Sequence, residues 1–189
     1  MLGKHGRGSL SHFKLKSPRI IMMATLGKAA GVAGAFVAGE QVVIDYLIQK
    51  ANSYVYSTPA PPALSATLSA SIKLIEQGDD LRAHLQALIA TFKANLNLKK
   101  WQLLPSNTAV QPLIVGSNHE ALALSEHLQA LGILVPAIRP PTVPVNTARL
   151  RISLSAAHSI NDALQLANAI NEAEKIMANN LKTPSMELI

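Results

Sequence analysis

Apolar residues in the first third of the chain form two short runs followed by a helical stripe. Residues 20–25 and 34–38 have the length and composition of two neighbouring strands, and we expect the first of them to be buried. Apolar positions between residues 40 and 52 recur every three or four residues and predict a helix. The prolines within residues 53–62 then predict an open loop.

Apolar positions keep a helical spacing from residue 63 to residue 96. Gly78 interrupts this stripe and is typical of a helix end, so the pattern predicts two helices in series or one bent helix. Beyond Trp101 the elements become shorter. We predict a strand over 110–115, a helix that Ser117 or Asn118 caps and Gly132 ends, strands over 133–138 and 149–154, and a last helix that Ser159 and Asp162 cap.

This order of elements predicts an α/β fold in two parts. From residue 110 onward the order is strand, helix, strand, strand and helix, which favours a small sheet with helices packed on one side. Alternation along the last strand places Arg149 and Arg151 on the same face. The two short runs near the start belong to a different sheet. We therefore expect domains at residues 1–77 and 78–178, followed by a flexible tail over 179–189.

Lys28 is the single charged residue in the apolar block formed by residues 20–39. It follows the first predicted strand and is surrounded in sequence by glycines and alanines, where the backbone can approach a ligand closely. Apolar surroundings favour the neutral, nucleophilic form of a lysine amine, which Schiff-base chemistry requires. We therefore identify Lys28 as a candidate catalytic residue in a dry pocket.

The same block has a second interpretation, as a membrane segment. Residues 20–39 are long enough to span a bilayer, and Gly27 and Gly31 match the GxxxG spacing of packed transmembrane helices. The basic residues ahead of the block imitate a signal sequence or an anchor. A lysine at the centre of a membrane helix costs about 2.5–3.5 kcal/mol, which favours a buried site outside the membrane. A small, basic, membrane-anchored protein without enzymatic activity is the alternative.

Composition and charge narrow the classes of function. The chain is 49% hydrophobic, which favours a packed protein, and it has no cysteine, which excludes disulfides, thiolate metal sites and a cysteine nucleophile. The lack of cysteine fits a reducing compartment, and we expect a cytoplasmic location. The net charge of +6 comes mostly from the first 28 residues. Since only 4% of residues are aromatic, this charge favours anionic small molecules or an acidic carrier protein over nucleic acid.

Signatures of other catalytic sites do not occur in the sequence. The six histidines lack the HExxH spacing of a zinc site, and no GxSxG marks a serine nucleophile. We therefore predict no metal site. We assign a structural role to His158, which lies near the start of the last predicted helix.

Three segments resemble, in order, the α-oxoamine synthases, which are pyridoxal-phosphate enzymes of fold type I. Residues 25–35, TLGKAAGVAGA, resemble the cofactor-lysine segment of this family, and residues 56–62, YSTPAPP, resemble its phosphate loop. Residues 139–144 and 147–158 are similar to the branch that condenses L-alanine with a pimeloyl thioester in biotin synthesis, whereas Val145 and Asn146 stand where the family usually has a glycine. The alternatives within the family are the 2-amino-3-ketobutyrate CoA ligases and the 5-aminolevulinate synthases, and the latter have a tyrosine and a proline in place of the double proline of this loop.

The resemblance implies a cofactor site. Lys28 would hold pyridoxal phosphate through its amine and later shuttle the Cα proton of the substrate, and Thr25 would hydrogen-bond the phosphate. Thr58, with Ser57, would reach the phosphate of the cofactor in the neighbouring subunit of a homodimer. Hydroxyl groups suit phosphate oxygens, so the chemistry of these side chains agrees with the implied roles.

The resemblance also implies a substrate site and a fold. Thr142 would line the substrate pocket, and Arg151 would pair with the carboxylate of L-alanine, which a guanidinium matches with two parallel hydrogen bonds. The pimeloyl group would arrive on coenzyme A or on an acyl carrier protein. In the implied fold, residues 1–77 form the carboxyl-terminal part of the large cofactor-binding domain with a connecting helix, and residues 78–178 form the small carboxyl-terminal domain.

The resemblance covers roughly the carboxyl-terminal half of a family chain. The family's histidine that stacks on the cofactor, and the aspartate that keeps the pyridine nitrogen protonated, belong to the other half. None of the eleven acidic residues here lies in a matching context. Since these groups hold the cofactor and strengthen its electron sink, we expect this chain to be a fragment that is inactive by itself.

Overall fold

A computed structural model of the protein describes residues 2–180 and divides them into two units, unit 1 ending at Asp80 and unit 2 beginning at Leu81. The units contain separate sheets, one of two strands and one of four. The predicted α/β class with two different sheets is therefore confirmed. Of the predicted tail, residues 179 and 180 continue the last helix, and residues 181–189 lie outside the described residues.

Unit 1 consists of a β-hairpin and several helices. Met23 on the first strand of the hairpin lies opposite Val37 on the second, and Thr25 lies opposite Ala35. The sequence predicts both strands and the helices on either side of Gly78 correctly. The elements are a 3-10 turn (Lys4–Gly6), α1 (Gly8–His12), β1 (Met22–Thr25), β2 (Ala35–Ala38), α2 (Gln41–Lys50), α3 (Asn52–Val55), α4 (Pro62–Gln77) and the first residues of α5 (Asp79–Ala94).

The short helix α3 lies where the sequence predicts an open loop. The first proline of that segment is Pro59, so nothing in residues 52–55 prevents a helical turn. The hydroxyl of Ser57 also donates a hydrogen bond to the carbonyl oxygen of Ser53, which ties the end of the turn to its beginning. The open loop is therefore limited to the residues just before α4.

Residues 20–39 form the hairpin and not a continuous helix. Gly31 and Gly34 adopt φ angles of 65° and 124°, a region that favours glycine, and the amide of Leu26 donates a 2.9 Å hydrogen bond to the carbonyl oxygen of Gly34. Gly27 and Gly31, the two glycines of the GxxxG spacing, therefore both lie in the turn between β1 and β2. Among the helices that the structure describes, none combines the length and the apolar character needed to cross a membrane.

Unit 2 contains a four-stranded sheet in which all neighbouring strands are antiparallel, in the order β3-β4-β6-β5. The predicted order of strand, helix, strand, strand and helix is confirmed. The sequence does not predict β3, which is only two residues long and too short to show a periodicity. After α5, the elements of this unit are β3 (Gln102–Leu103), β4 (Val110–Gly116), α6 (Asn118–Ala130), β5 (Ala137–Ile138), β6 (Ala148–Ser153) and α7 (Ile160–Asn180).

Strand β5 is shorter than the predicted strand over 133–138. Pro136 has no amide hydrogen to donate to a neighbouring strand. The carbonyl oxygen of Val135 instead accepts a 2.6 Å hydrogen bond from the hydroxyl of Ser125 on α6. The carbonyl oxygen of Pro136 accepts a 3.0 Å hydrogen bond from the amide of Arg151, and the paired register with β6 begins at Ala137.

The core of unit 2 lies between the helices and one face of the sheet. Leu113 on β4 lies opposite Leu150 on β6, and both are fully buried. On the other face of β6, Arg149 is half-buried and Arg151 is exposed, as the predicted alternation requires. The helices of this unit contribute the buried side chains of Phe92, Leu128 and Ile170.

Unit 1 has almost no interior of its own. Among residues 2–80, only Gly6 and Val32 are buried. Strand β1 alternates between half-buried and exposed residues, and β2 is exposed throughout. The expectation that the first strand is buried is therefore wrong for this chain, because a hairpin of two strands has no second layer to cover it.

Candidate functional site

Lys28 lies in the turn that joins β1 to β2. The carbonyl oxygen of Lys28 accepts a 3.0 Å hydrogen bond from the amide of Gly31, and the amide of Val32 donates to the carbonyl oxygen of Leu26 at 3.1 Å. The side chain of Val32, in the same loop, is buried. These contacts give the backbone around Lys28 a defined conformation. The glycine-rich segment therefore forms a closed loop, and Lys28 is one of the residues of that loop.

The side chain of Lys28 is exposed, which corrects the expectation of a dry pocket. Within residues 2–180, its amine has no hydrogen bond or ion pair. The physical reason is the same as for the strands, since the two-stranded hairpin supplies no layer against which the lysine could pack. The structure provides a primary amine that has no hydrogen-bond or ion-pair partner and is carried on a fixed backbone. A primary amine is the nucleophile that Schiff-base chemistry needs.

Ser71, on α4, holds the loop that carries Lys28. Its hydroxyl donates a 2.7 Å hydrogen bond to the carbonyl oxygen of Ala30, and the contact is partly buried. The sequence analysis does not identify Ser71, because the two residues are 41 positions apart and a serine within a helical stripe carries no motif. The conformation of the glycine-rich loop is thus linked to the position of α4 by this hydrogen bond.

Three predicted hydroxyl residues also lie in unit 1. Thr25 ends β1, three residues before Lys28, and its side chain is exposed. Ser57 and Thr58 lie between α3 and α4 and are exposed as well. The hydroxyl of Ser57 donates its hydrogen to the carbonyl oxygen of Ser53. While this hydrogen bond is present, the Ser57 hydroxyl can only accept a hydrogen bond from a ligand.

The two predicted substrate-binding residues lie in unit 2. Thr142 is exposed in the loop before β6, where its amide donates to the carbonyl oxygen of Arg139 at 3.0 Å. Arg151 is exposed on β6, and its guanidinium has no hydrogen bond or ion pair among the described residues. An unpaired guanidinium on a strand of a well-packed sheet can bind a carboxylate without first breaking an internal contact.

Arg149, on the same face of β6, is engaged within the protein. Its Nε atom donates to the carbonyl oxygen of Thr147 at 3.1 Å, and its Nη2 atom lies 3.2 Å from the hydroxyl oxygen of Thr147. That hydroxyl in turn donates to the carbonyl oxygen of Pro144 at 2.7 Å. Arg149 therefore holds the loop before β6 through Thr147, whereas the guanidinium of Arg151 has no such contact among the described residues.

His158 has the structural contacts that the sequence analysis expects. Its Nδ1 atom accepts a 3.1 Å hydrogen bond from the amide of Ser155, and its carbonyl oxygen lies 2.9 Å from the Nε2 atom of His84 on α5. Residues 2–180 contain no group of three or more histidine, cysteine, aspartate or glutamate side chains arranged to hold a metal ion. His84 and His158 thus connect α5 to the segment before α7.

A groove of about 410 Å³ lies in unit 2, between the start of α7 and the residues before β5. His158, Asp162, Ser153 and Gln165 contribute polar groups to a lining that also contains apolar side chains such as that of Leu154. None of the six predicted site residues lines this groove. Each of the six side chains is exposed within its own unit.

Comparison with known proteins gives consistent matches over nearly the whole chain. The model of the family "Aminotransferase class I and II" matches residues 5–170. The 8-amino-7-oxononanoate synthase of Methylobacillus flagellatus is 55% identical over 175 residues, which are 93% of this chain and 44% of that protein. These matches confirm the resemblance that the three sequence segments indicate.

Solved structures agree with the sequence comparison. The crystal structure of 8-amino-7-oxononanoate synthase from Francisella tularensis has a TM-score of 0.79 and 29% identity, and the match covers 95% of this chain and 52% of that chain. Serine palmitoyltransferase from Sphingomonas wittichii also has a TM-score of 0.79, with 26% identity, over 93% of this chain and 45% of that chain. The chain thus spans less than half the length of the curated relatives that it matches.

Proposed function

We propose that this chain, which belongs to the aminotransferase class I and II family, forms part of a pyridoxal-phosphate-dependent 8-amino-7-oxononanoate synthase. The observation that carries the proposal is the unengaged amine of Lys28 on the hydrogen-bonded loop between β1 and β2. Identity of 50–56% to synthases of that name supports the choice of reaction. Unit 1 would belong to the large cofactor-binding domain, and unit 2 would be the small domain.

The side chains present fit pyridoxal phosphate by their chemistry. Lys28 offers a primary amine for its aldehyde, and Thr25 offers an exposed hydroxyl three residues away for its phosphate. Ser57 and Thr58 would contact the phosphate of the cofactor in the neighbouring subunit of a homodimer. When bound, pyridoxal phosphate supplies an electron sink that stabilises negative charge on the α-carbon of an amino acid.

The proposed reaction joins L-alanine to a pimeloyl thioester and releases carbon dioxide and the free thiol. In it, Arg151 binds the carboxylate of L-alanine until that carboxylate leaves, which keeps the Cα–H bond in a fixed orientation. The Lys28 amine removes the Cα proton and later returns a proton to the same atom. Thr142 lines the pocket on the substrate side. The thiol carrier is coenzyme A or an acyl carrier protein, and the location is the cytoplasm.

The test uses a chimera in which residues 1–189 replace the matching part of the Methylobacillus flagellatus synthase. The chimera should turn over L-alanine with a pimeloyl thioester, and borohydride treatment should fix the mass of the cofactor on the peptide that contains Lys28. Lys28→Ala should abolish both results, whereas Lys50→Ala, at another exposed lysine of unit 1, should change neither. Labelling of a different lysine, or a preference for glycine over L-alanine, would contradict the proposal.

A further inference from the structure

The loop between β5 and β6 presents apolar side chains on the surface of unit 2. We call residues 139–147 the Thr142 loop, and its base is closed by the pairing of Ile138 on β5 with Arg149 on β6. Positions 140–145 are three prolines, two valines and Thr142 itself. Val145 is 75% exposed, and Thr142 is exposed as well. Exposed apolar side chains gathered on one loop are typical of a binding surface.

The Thr142 loop contains one residue in a left-handed conformation, and hydrogen bonds span it. Asn146 adopts a φ angle of 62°, a region that is uncommon for residues other than glycine. The amide and the hydroxyl of Thr147 both donate to the carbonyl oxygen of Pro144, at 3.2 and 2.7 Å, and thereby close the backbone around Asn146. A conformation of this kind persists where the surrounding contacts hold it, so the shape of the loop depends on Thr147.

Arg149 fixes Thr147 in turn. Its Nε atom donates to the carbonyl oxygen of Thr147 at 3.1 Å, and its Nη2 atom lies 3.2 Å from the hydroxyl oxygen of the same residue. Because the donors of a planar guanidinium are fixed relative to one another, the two contacts together set the orientation of Thr147. The Thr147 hydroxyl then directs its own hydrogen to Pro144, two residues beyond Thr142. Arg149 thus acts on the shape of the Thr142 loop.

The acyl chain is the part of the proposed substrates to which no residue is yet assigned. Arg151 is assigned to the carboxylate of L-alanine, and Lys28 to its Cα proton. The pimeloyl chain contributes five methylenes, whose transfer from water to an apolar surface is favourable. The Thr142 loop offers such a surface, and the Thr142 hydroxyl, the one polar side chain among residues 140–145, suits the carbonyl oxygen of the thioester.

We infer that Arg149 is a positioning residue for the acyl substrate, an inference that rests on the proposed function. Through Thr147, Arg149 holds the Thr142 loop in the shape that binds the pimeloyl chain. A surface that is ordered before binding loses less conformational entropy when the ligand arrives, so loss of these contacts lowers the affinity for the acyl chain. Arg149 and Arg151, two residues apart on one face of β6, therefore serve different substrates.

The first experiment separates the two substrates in the chimera described above. Arg149→Ala should raise the KM for the pimeloyl thioester about tenfold or more and change the affinity for L-alanine by less than about threefold. Thr147→Val, which removes the hydroxyl, should have the same selective effect, and Thr147→Ser, which keeps it, should resemble the parent. Glu174→Gln is the control for stability, because Glu174 bonds to the amides of residues 99–101, outside the loop, and it should change neither value.

The length of the acyl chain gives a second measurement, which a purely structural role of Arg149 would not change. Adipoyl and glutaryl thioesters are one and two methylenes shorter than the pimeloyl thioester. In the parent chimera, each added methylene should lower the KM about two- to fourfold, whereas in Arg149→Ala the change should be less than about twofold, because a disordered loop covers less of the chain. Amide hydrogen exchange at Thr142 and Thr147 in residues 1–189 should also be about tenfold faster in this variant.

The outcomes separate this inference from the proposed function. An unchanged KM for the thioester in Arg149→Ala, equal changes for both substrates, or the same dependence on chain length as in the parent would overturn the inference and leave the synthase assignment in place. Equal effects of Thr147→Val and Thr147→Ser would overturn it too, because the hydroxyl would then not be the link. A parent chimera that turns over no pimeloyl thioester would instead contradict the proposed function, and the inference with it.

Discussion

The hydroxyl of Ser71 donates a 2.7 Å hydrogen bond to the carbonyl oxygen of Ala30, two residues beyond Lys28. This contact joins α4 to the loop between β1 and β2, which among the described residues is otherwise closed by its own backbone hydrogen bonds. Because the contact is partly buried, loss of the hydroxyl leaves a carbonyl oxygen with little access to water. Ser71 is therefore a positioning residue for Lys28.

Ser71→Ala should loosen the Lys28 loop. We expect a loss of about 0.5–1.5 kcal/mol in local stability, seen as faster amide exchange at Gly31 and Val32. Ser69→Ala is the matched control, because the Ser69 hydroxyl bonds only to Ser65 within the same helix, at 3.0 Å. If both variants accelerated exchange at Val32 equally, the effect would come from the helix and not from the contact with Ala30.

Arg151→Ala should weaken binding of L-alanine in the chimera by about 10- to 100-fold, the cost of losing a charge-assisted pair. Arg149→Ala should change this affinity by less than about threefold and should instead lower the stability of unit 2, because Arg149 braces Thr147. The measurement is a titration with L-alanine followed by the absorbance of the bound cofactor. Equal alanine affinity in the Arg151 variant and the parent would refute its assignment.

Local sequence patterns predict unit 2 well because residues of this unit form its core. Alternation along β6 correctly separates the faces of Leu150 and Arg151, and Ser117 caps α6 through the amide of Glu120 at 3.1 Å. The same kind of pattern misleads at β1. An apolar run shows that a strand can be buried, but burial itself depends on which surfaces cover the strand, and nothing in the described chain covers Met23.

The candidate site is predictable to the extent that it is local. The glycines around Lys28 indicate a turn, and the structure has one. Alternation cannot distinguish Arg149 from Arg151, because the difference lies in the hydrogen bonds to Thr147. Ser71 is beyond the reach of any local pattern, since its partner is on a different element.

Glu174 on α7 should make unit 2 sensitive to acid. Its carboxylate accepts hydrogen bonds from the backbone amides of Lys99, Lys100 and Trp101 at 2.8, 2.9 and 2.8 Å. Burial opposes ionisation of this group, but the three amides outweigh it and lower the pKa of Glu174 below its usual value of 4.5. The stability that this pKa shift contributes is fully present above that value and is lost as the pH falls through the lower, folded-state pKa.

Glu174→Gln should therefore cost about 1–3 kcal/mol at neutral pH and reduce the dependence of stability on pH in the acid range. Urea denaturation followed by the fluorescence of Trp101, the one tryptophan of the chain, measures both effects. Glu172→Gln, at an exposed position of the same helix, is the control and should change neither. A parent protein and a Glu174 variant with the same acid dependence would rule out this role.

Ser159→Ala should shift the titration of Asp162, because the two residues cap the start of α7 reciprocally. The amide of Ser159 donates to the Asp162 carboxylate at 2.7 Å, and the amide of Asp162 donates to the Ser159 hydroxyl at 3.1 Å. Hydrogen bonds from the amide and then the hydroxyl of Ser159 hold the pKa of Asp162 below its usual value.

The variant should raise that pKa only part of the way, since the amide remains, and should cost about 1 kcal/mol, as is typical for the loss of a helix N-cap. An NMR titration of Asp162 measures the first effect and urea denaturation the second. Ser117→Ala removes the cap of α6 instead and should give a similar loss of stability with the pKa of Asp162 unchanged. An unchanged Asp162 titration in the Ser159 variant would show that the hydroxyl does not contribute to the low pKa.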